Sequence, residues 1–230
     1  MGQHVLPGNP PVALLLKKSA RARRISLRVS RLDGRVTLTC PKGVTEAEAL
    51  AFARSKAAWL REALADQQGP VTVGHGAEVP VLGQMRQITH GAGRRVQITD
   101  TALLVPGPAD QVGARVRGFL RNHARDRLAA ASDRYASTLG RPYARITLRD
   151  TRSRWGSCTA DAGLMFSWRL IMAPEPVLNY VAAHEVAHLA ELNHSAAFWA
   201  VVHRLYGDHR TARGWLRENG HNLHRYRFTD

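Results

Sequence analysis

Cysteine is nearly absent. Two thiols in 230 residues, Cys40 and Cys158, cannot build a disulfide framework, and their scarcity fits a reducing compartment. Long apolar runs are missing too. Nothing approaches the roughly 20 residues of a membrane span, and the stretch 12–16 leads into Lys17 and Lys18 instead of following a charged segment, which disfavours a secretory leader. The sequence therefore predicts a cytoplasmic protein with no membrane partner. Acid is also scarce: 18 Asp and Glu face 33 Lys and Arg, for a net charge of +15, and residues 1–32 hold no acid at all. Lysine is limited to Lys17, Lys18, Lys42 and Lys56, so the excess is arginine. A field of that sign attracts DNA or RNA through phosphates; an arginine bias can also reflect codon usage and imply no partner. Apolar content, by contrast, is ample at 44%, enough to bury a core and to exclude a disordered tail protein.

Residues 1–108 read as a β-rich basic region with one helix. Ile25, Leu27 and Val29 alternate with Arg24, Ser26 and Arg28. Asp33-Gly34 is a hairpin turn and the alternation resumes over 36–39, so two antiparallel strands are expected. Thr45 with Glu48 forms a capping box that opens a helix to about Asp66. Short strand patterns follow at 71–73, 79–82, 85–89, 96–99 and 103–105. At Pro106-Gly107-Pro108 the pattern turns helical, which places a domain boundary between 108 and 109. Over 109–230 helices are expected at about 112–139, ended by Gly140, and at about 177–192, 195–206 and 210–219. A strand around Ile146 and Leu148 precedes another over 164–172, the expected edge for pairing with an extended peptide. The fold class is α+β.

The segment HEVAHLAELNH, residues 184–194, carries the chemistry. Residues four apart on a helix lie about 5 to 6 Å apart on one face, so the imidazoles of His184 and His188 can reach one ion at the roughly 2.1 Å that zinc requires. Glu185 stands off that axis, where its carboxylate can deprotonate a water on the metal instead of coordinating it. A catalytic zinc site usually takes three protein ligands, and His194 is the candidate third. The chain must turn to bring it back; Asn193 tolerates the left-handed conformation for that turn, and Ser195 can cap the next helix. Glu191 stands where the metzincin pattern has glycine, so a metzincin turn is not expected. With 11 His and 8 Glu in the chain, a random HExxH is expected about 0.02 times. One zinc per chain, a protein or peptide substrate, and hydrolysis with Glu185 as general base form the first reading. The rival is a nucleic-acid-binding module with a structural zinc.

RWGSC at 154–158, FSWRLIMAP at 166–174 and YVAAHEVAHLAELNHSAAFW at 180–199 together resemble the YgjP-like metallopeptidases, relatives of the SprT-like and WLM zincins. The resemblance implies a zincin-like catalytic domain over 109–230 with an HExxH active-site helix, His184, His188 and His194 as ligands and Glu185 as general base. Through the SprT-like cousins it also carries an association with DNA–protein crosslink proteolysis. In the RWGSC loop Arg154 could bind a peptide carbonyl or carboxylate, Trp155 could wall the cleft, and Gly156 allows close backbone approach; a packing loop with a core Trp is the other reading. Cys158 could be a fourth ligand. One of Trp199, His203 and Tyr206 could stabilise the oxyanion, and the rest would be core.

Overall fold

Alternating side chains make the start of the chain a sheet. The computed structural model describes residues 2–30, 33–65 and 69–228, and the chain forms two units, Met1–Gly69 and Pro70–Asp230. In the first, β1 (Gly2–Leu6), β2 (Val12–Ser19), β3 (Ser26–Val29) and β4 (Val36–Pro41) run in the order β1-β2-β4-β3, with β2 parallel to β4 and the other pairs antiparallel. Val12, Leu14 and Leu16 of β2 and Val36, Leu38 and Cys40 of β4 point to one buried face, as the period of two demands. That face packs on Ala49 and Ala53 of α1 (Glu46–Ser55) and Leu60 of α2 (Ala57–Ala65). The β3–β4 hairpin is the expected one, with Gly34 at φ 69° in its turn; Arg31 and Leu32 lie outside the described residues. The capping box is present, the Thr45 N–H donating to Glu48 Oε2 at 2.8 Å and the Glu48 N–H to Thr45 Oγ1 at 3.3 Å. The single expected helix is instead two, because the chain leaves helical geometry at Lys56 (φ −106°, ψ 11°), whose N–H the Ala53 and Arg54 carbonyls share; its expected end, Asp66, lies outside the described residues.

In the second unit, β5 (Val71–Thr72) precedes a four-stranded sheet. Its strands β6 (Glu78–Val81), β7 (Gln84–His90), β8 (Gln97–Ile98) and β9 (Ala102–Val105) run in the order β6-β7-β9-β8. The long helix α3 (Val112–Leu139) follows and ends as expected at Gly140 in the left-handed conformation, φ 73°. A three-stranded sheet, β10 (Arg145–Arg149), β11 (Gly156–Cys158) and β12 (Gly163–Ser167), has the order β10-β12-β11. Then come α4 (Glu175–Ala187), α5 (Ala196–Tyr206) and α6 (Arg210–Asn219), and β13 (Tyr226–Arg227), which pairs with β5 in parallel. Among the described residues no helix is long and apolar enough to cross a membrane.

Three sequence expectations need correction here. The division falls after Gly69, not after Pro108, because Val79, Val81, Ile88, Leu103 and Val105 of the strands share one buried cluster with Val112, Val116 and Leu120 of α3. A change of periodicity marks a change of element and not of core. The expected strand 164–172 stops at Ser167, and 168–172 form a short 3-10 helix, Trp168–Met172, buried throughout. The strand is also central: β12 lies between β10 and β11, so β10 and β11 are the edges.

Arg169 of that 3-10 helix is the buried cation of this unit, 7% exposed. It donates to Asp150 Oδ1 and Oδ2 at 2.6 and 3.0 Å, and its Nη1 donates to the carbonyls of Leu223 and Tyr226 at 2.8 and 3.2 Å. Its guanidinium also faces the Trp168 and Phe228 rings at 4.8 and 5.6 Å. Burial raises the Asp150 carboxyl, yet the Arg169 hydrogen bonds and charge outweigh it and hold the group below its ordinary range. Removing the buried guanidinium strands the two carbonyls and leaves the half-exposed Asp150 carboxylate without its partner. Arg169→Leu is expected to lower unfolding stability by about 3 kcal/mol and to raise hydrogen exchange over 220–228; a loss below about 1 kcal/mol in urea unfolding would refute this anchoring role.

Candidate metal centre and active site

The helix α4 begins after Pro174, with Pro176 in its first turn where a missing N–H costs nothing. Its face is apolar almost all round: Val177, Leu178, Val181, Ala182, Ala183, Val186 and Ala187 are buried. The helix ends earlier than the expected Leu192: α4 stops at Ala187 with His188 as its cap residue. The turn that follows is closed by Leu189 N–H to the Val186 carbonyl at 3.0 Å, and Arg141 donates to the Leu189 carbonyl at 2.7 Å. The route back to His194 also differs from expectation. Among the described residues only Leu82 and Ala162 are non-glycine residues with positive φ, so Asn193 is not left-handed. Its side chain makes the turn instead, Oδ1 accepting from the Ser195 N–H at 3.1 Å. Ser195 caps α5 as expected, its Oγ accepting from the Phe198 N–H at 3.3 Å.

These elements bring His184, His188 and His194 together. One donor nitrogen of each lies within 4.8 Å of the others, and the Nε2 atoms of His184 and His194 are 3.0 Å apart. Tetrahedral ligands on zinc are separated by roughly 3.4 Å, so the donor set fits one such ion. His188 Nδ1 lies 2.9 Å from the Glu191 carbonyl; as the donor there it leaves Nε2 free for a metal, the usual orienting contact of a ligating imidazole. Burial, with His188 and His194 beside it, lowers His184 to about 3, so the imidazole keeps the unprotonated form that binds cations. Phe198 forms the floor, with its ring centroid 4.9, 4.4 and 4.8 Å from those of His184, His188 and His194. No sequence argument had singled it out, although its place three residues after a helix cap would put it on the first turn facing α4.

Glu185 sits on α4 next to His184 and is 5% exposed. Burial pushes it up to about 8, with the Arg154 charge acting the other way. The neighbour that makes room is Gly156 of β11. A Cβ there would lie 2.5 Å from Glu185 Oε1, closer than real atoms approach, so the glycine permits the edge strand to lie directly against the carboxylate. Trp155, half-buried, packs on the 3-10 helix Gly220–His224: its ring lies 5.5 Å from that of His224, and a Cβ on Gly220 would meet it at 2.9 Å. One side of this Trp is thus packed. Arg154 is exposed just ahead of β11. Cys158 ends β11 outside the group of donors that can share an ion, and burial, with Glu185 and Asp161, raises its thiol.

Of the three oxyanion candidates only Trp199 borders the imidazoles, stacked 5.8 Å from His194. Tyr206 donates to the Pro176 carbonyl at 2.9 Å, and His203 is exposed. Two residues that the sequence reading missed lie here. His209 stacks 4.7 Å from Trp199 and 5.8 Å from Tyr180, and the Arg213 guanidinium lies 5.0 Å from the Trp199 centroid. No spacing rule links α6 to residues 184–194; the hint was only aromatic and cationic side chains on the following helix.

The family model for the YgjP-like metallopeptidase domain matches residues 23–219. No curated protein sequence matches the chain. Among solved structures the metallopeptidase zymogen abylysin of Pyrococcus abyssi is similar at 18% identity with a TM-score of 0.36, over 40% of this chain and 92% of that one.

His224 gives the metal-free protein a pH dependence that does not involve the imidazole cluster. Burial, aided by the Arg169 charge, lowers it to about 4 from an ordinary 6.5. Between those values the unfolded chain binds the proton and the native one does not, so native stability falls as pH drops from about 6.5 to 4 and is insensitive to this group above. His184, lowered likewise, adds to the same trend. Urea unfolding of metal-free wild type and His224→Phe at pH 7.5, 6 and 5 is expected to show a shallower decline in the variant; parallel declines would refute the assignment.

Proposed function

The chain belongs to the YgjP-like metallopeptidase family, and we propose on that footing a zinc-dependent endopeptidase in which His184, His188 and His194 hold one zinc and Glu185 is the general base. The observation that supports it most is the position of Glu185: a buried carboxylate beside three converging imidazoles and against the edge strand β11. Zinc, when bound, supplies a Lewis acid for the peptide carbonyl and lowers the pKa of a water toward about 7. The chain's own residues do the rest. β11 offers its free edge to an extended substrate backbone, which main-chain hydrogen bonds would align past Gly156. Glu185, its basicity raised by burial, accepts the proton of the attacking water and delivers it to the leaving amine. Phe198 and Trp199 keep the imidazole side apolar, which strengthens every charge interaction there. A nucleic-acid module with a structural zinc leaves this buried carboxylate without a task.

Glu185→Gln keeps the shape and removes the proton acceptor. Zinc content is expected to stay near one per chain while hydrolysis of unfolded protein substrates falls by about 10² to 10⁴. His194→Ala is expected to lose zinc by metal analysis, and undiminished hydrolysis in zinc-replete Glu185→Gln would refute the general-base role.

A surface on α3 supports recruitment to DNA or RNA. Arg121 and Arg125, one helical turn apart and both exposed, line a groove with Gly118, Asn122 and Leu148, and neither guanidinium makes an ion pair among the described residues. Such a pair can follow a phosphodiester backbone. Titration with single- and double-stranded DNA is expected to show binding that weakens steeply between 50 and 200 mM salt. Arg121→Glu with Arg125→Glu is expected to reduce the affinity at least about tenfold, and no binding of wild type near 50 mM salt would remove nucleic acid as a partner.

A further inference from the structure

Two cations flank the site from opposite elements, and neither is spent on an internal partner. Arg154 lies two residues ahead of Gly156, the residue whose α-carbon abuts Glu185. Its carbonyl is fixed by the Thr151 hydroxyl, which donates at 2.8 Å, while its guanidinium is exposed and makes no ion pair or hydrogen bond among the described residues. Arg213 of α6 is likewise exposed and unpaired; its guanidinium lies 5.0 Å from the Trp199 centroid, and Trp199 stacks on His194. A guanidinium stacked on an indole keeps its N–H edge for a carboxylate, which it can grip through two parallel bonds. Asp161 is paired with Arg145 at 2.8 Å, and Asp208, just ahead of α6, with Arg210 at 2.7 Å.

We propose that Arg154 at the head of β11 and Arg213 over Trp199 make this site select peptides with an acidic side chain beside the scissile bond. The proposal rests on the peptidase reading of the same site. A backbone laid along β11 carries alternate side chains to one face, so a residue on one side of the cut can meet Arg154 while the Trp199 side presents Arg213. A lysine at either place would meet a like charge.

The test uses zinc-loaded protein with end-blocked peptide libraries carrying Asp or Glu, Ala or Lys around the cut, beside matched peptides with a free C-terminus. Cleavage is read by mass spectrometry. Acidic residues are expected to be favoured over lysine at least about tenfold, or about 1.4 kcal/mol; a preference confined to unblocked peptides would overturn the side-chain assignment. Arg154→Gln and Arg213→Gln are each expected to erase the preference on one side of the cut, and Arg154→Glu and Arg213→Glu to reverse it. A parallel arm measures binding of labelled acidic and lysine peptides to zinc-loaded Glu185→Gln by anisotropy at two salt concentrations, with tighter, salt-sensitive binding of the acidic set expected. Indifference to charge in both arms, or a preference that survives both glutamate substitutions, overturns the proposal. If wild type cleaves nothing, the peptidase reading fails instead, and the binding arm alone decides the charge preference.

Discussion

A helix buried on nearly every side has few positions for polar groups, and α4 must accommodate two imidazoles and a carboxylate. Tyr180, Val181, Ala182, Ala183, Val186 and Ala187 are all sequestered, so the helix cannot rotate to expose His184 or Glu185 without exposing its core residues. Burying even two or three such apolar side chains is worth several kcal/mol, which resists any rotation that would bring His184 or Glu185 into solvent. The core thus enforces the polar geometry. Buried polar groups held in place by apolar packing, with their proton affinities displaced, are what a reacting site requires.

The same constraint explains the small residues around the helix. Gly156 lets an edge strand approach the Glu185 carboxylate where any side chain would collide, and Ala182 and Ala183 thin the helix on its packed faces. At the other end, the β6–β7 turn meets Pro174: a Cβ on Gly83 would fall 3.0 Å from the Pro174 α-carbon, and the Leu82 N–H donates to the Ile171 carbonyl at 2.6 Å. The β-strands ahead of α3 therefore brace the start of α4. This is why they belong to its unit despite a sequence pattern that changes at residue 108.

Legibility in the sequence followed range. Local signals were read correctly: the Thr45–Glu48 box, the Asp33-Gly34 hairpin, the Gly140 cap and the Ser195 cap each depend on residues within a few positions. His184, His188 and His194 could be grouped because helical geometry and a turn link them, although the turn proved to use the Asn193 side chain and not a left-handed backbone. Contacts across the chain left no trace. Arg169 reads as one more basic residue until it is seen between Asp150 and the carbonyls of residues 54 and 57 positions away. Strand order is equally non-local: apolar 164–167 suggests a strand, and only pairing on both sides shows it to be central. His209 and Arg213 come to the site through the packing of α6, which no spacing rule encodes.

Those long-range contacts form a continuous mechanical path to Glu185. Arg169 holds the Leu223 and Tyr226 carbonyls, which fixes the 3-10 helix Gly220–His224. That helix presses Gly220 and His224 onto the Trp155 ring. The Trp155 carbonyl accepts from the Ser167 N–H at 2.8 Å, which sets the edge strand against β12, and the next residue, Gly156, meets Glu185. Packed protein transmits displacement because it has few voids to absorb it, so loosening the C-terminal anchor should first disturb the alignment of β11 with Glu185 and leave the three imidazoles in place. They are held separately, by α4, the Asn193 turn and the Phe198 floor. The architecture accordingly has two separate supports: the helices and the Asn193 turn set the three imidazoles, and the edge strand with the segment that backs it meets Glu185.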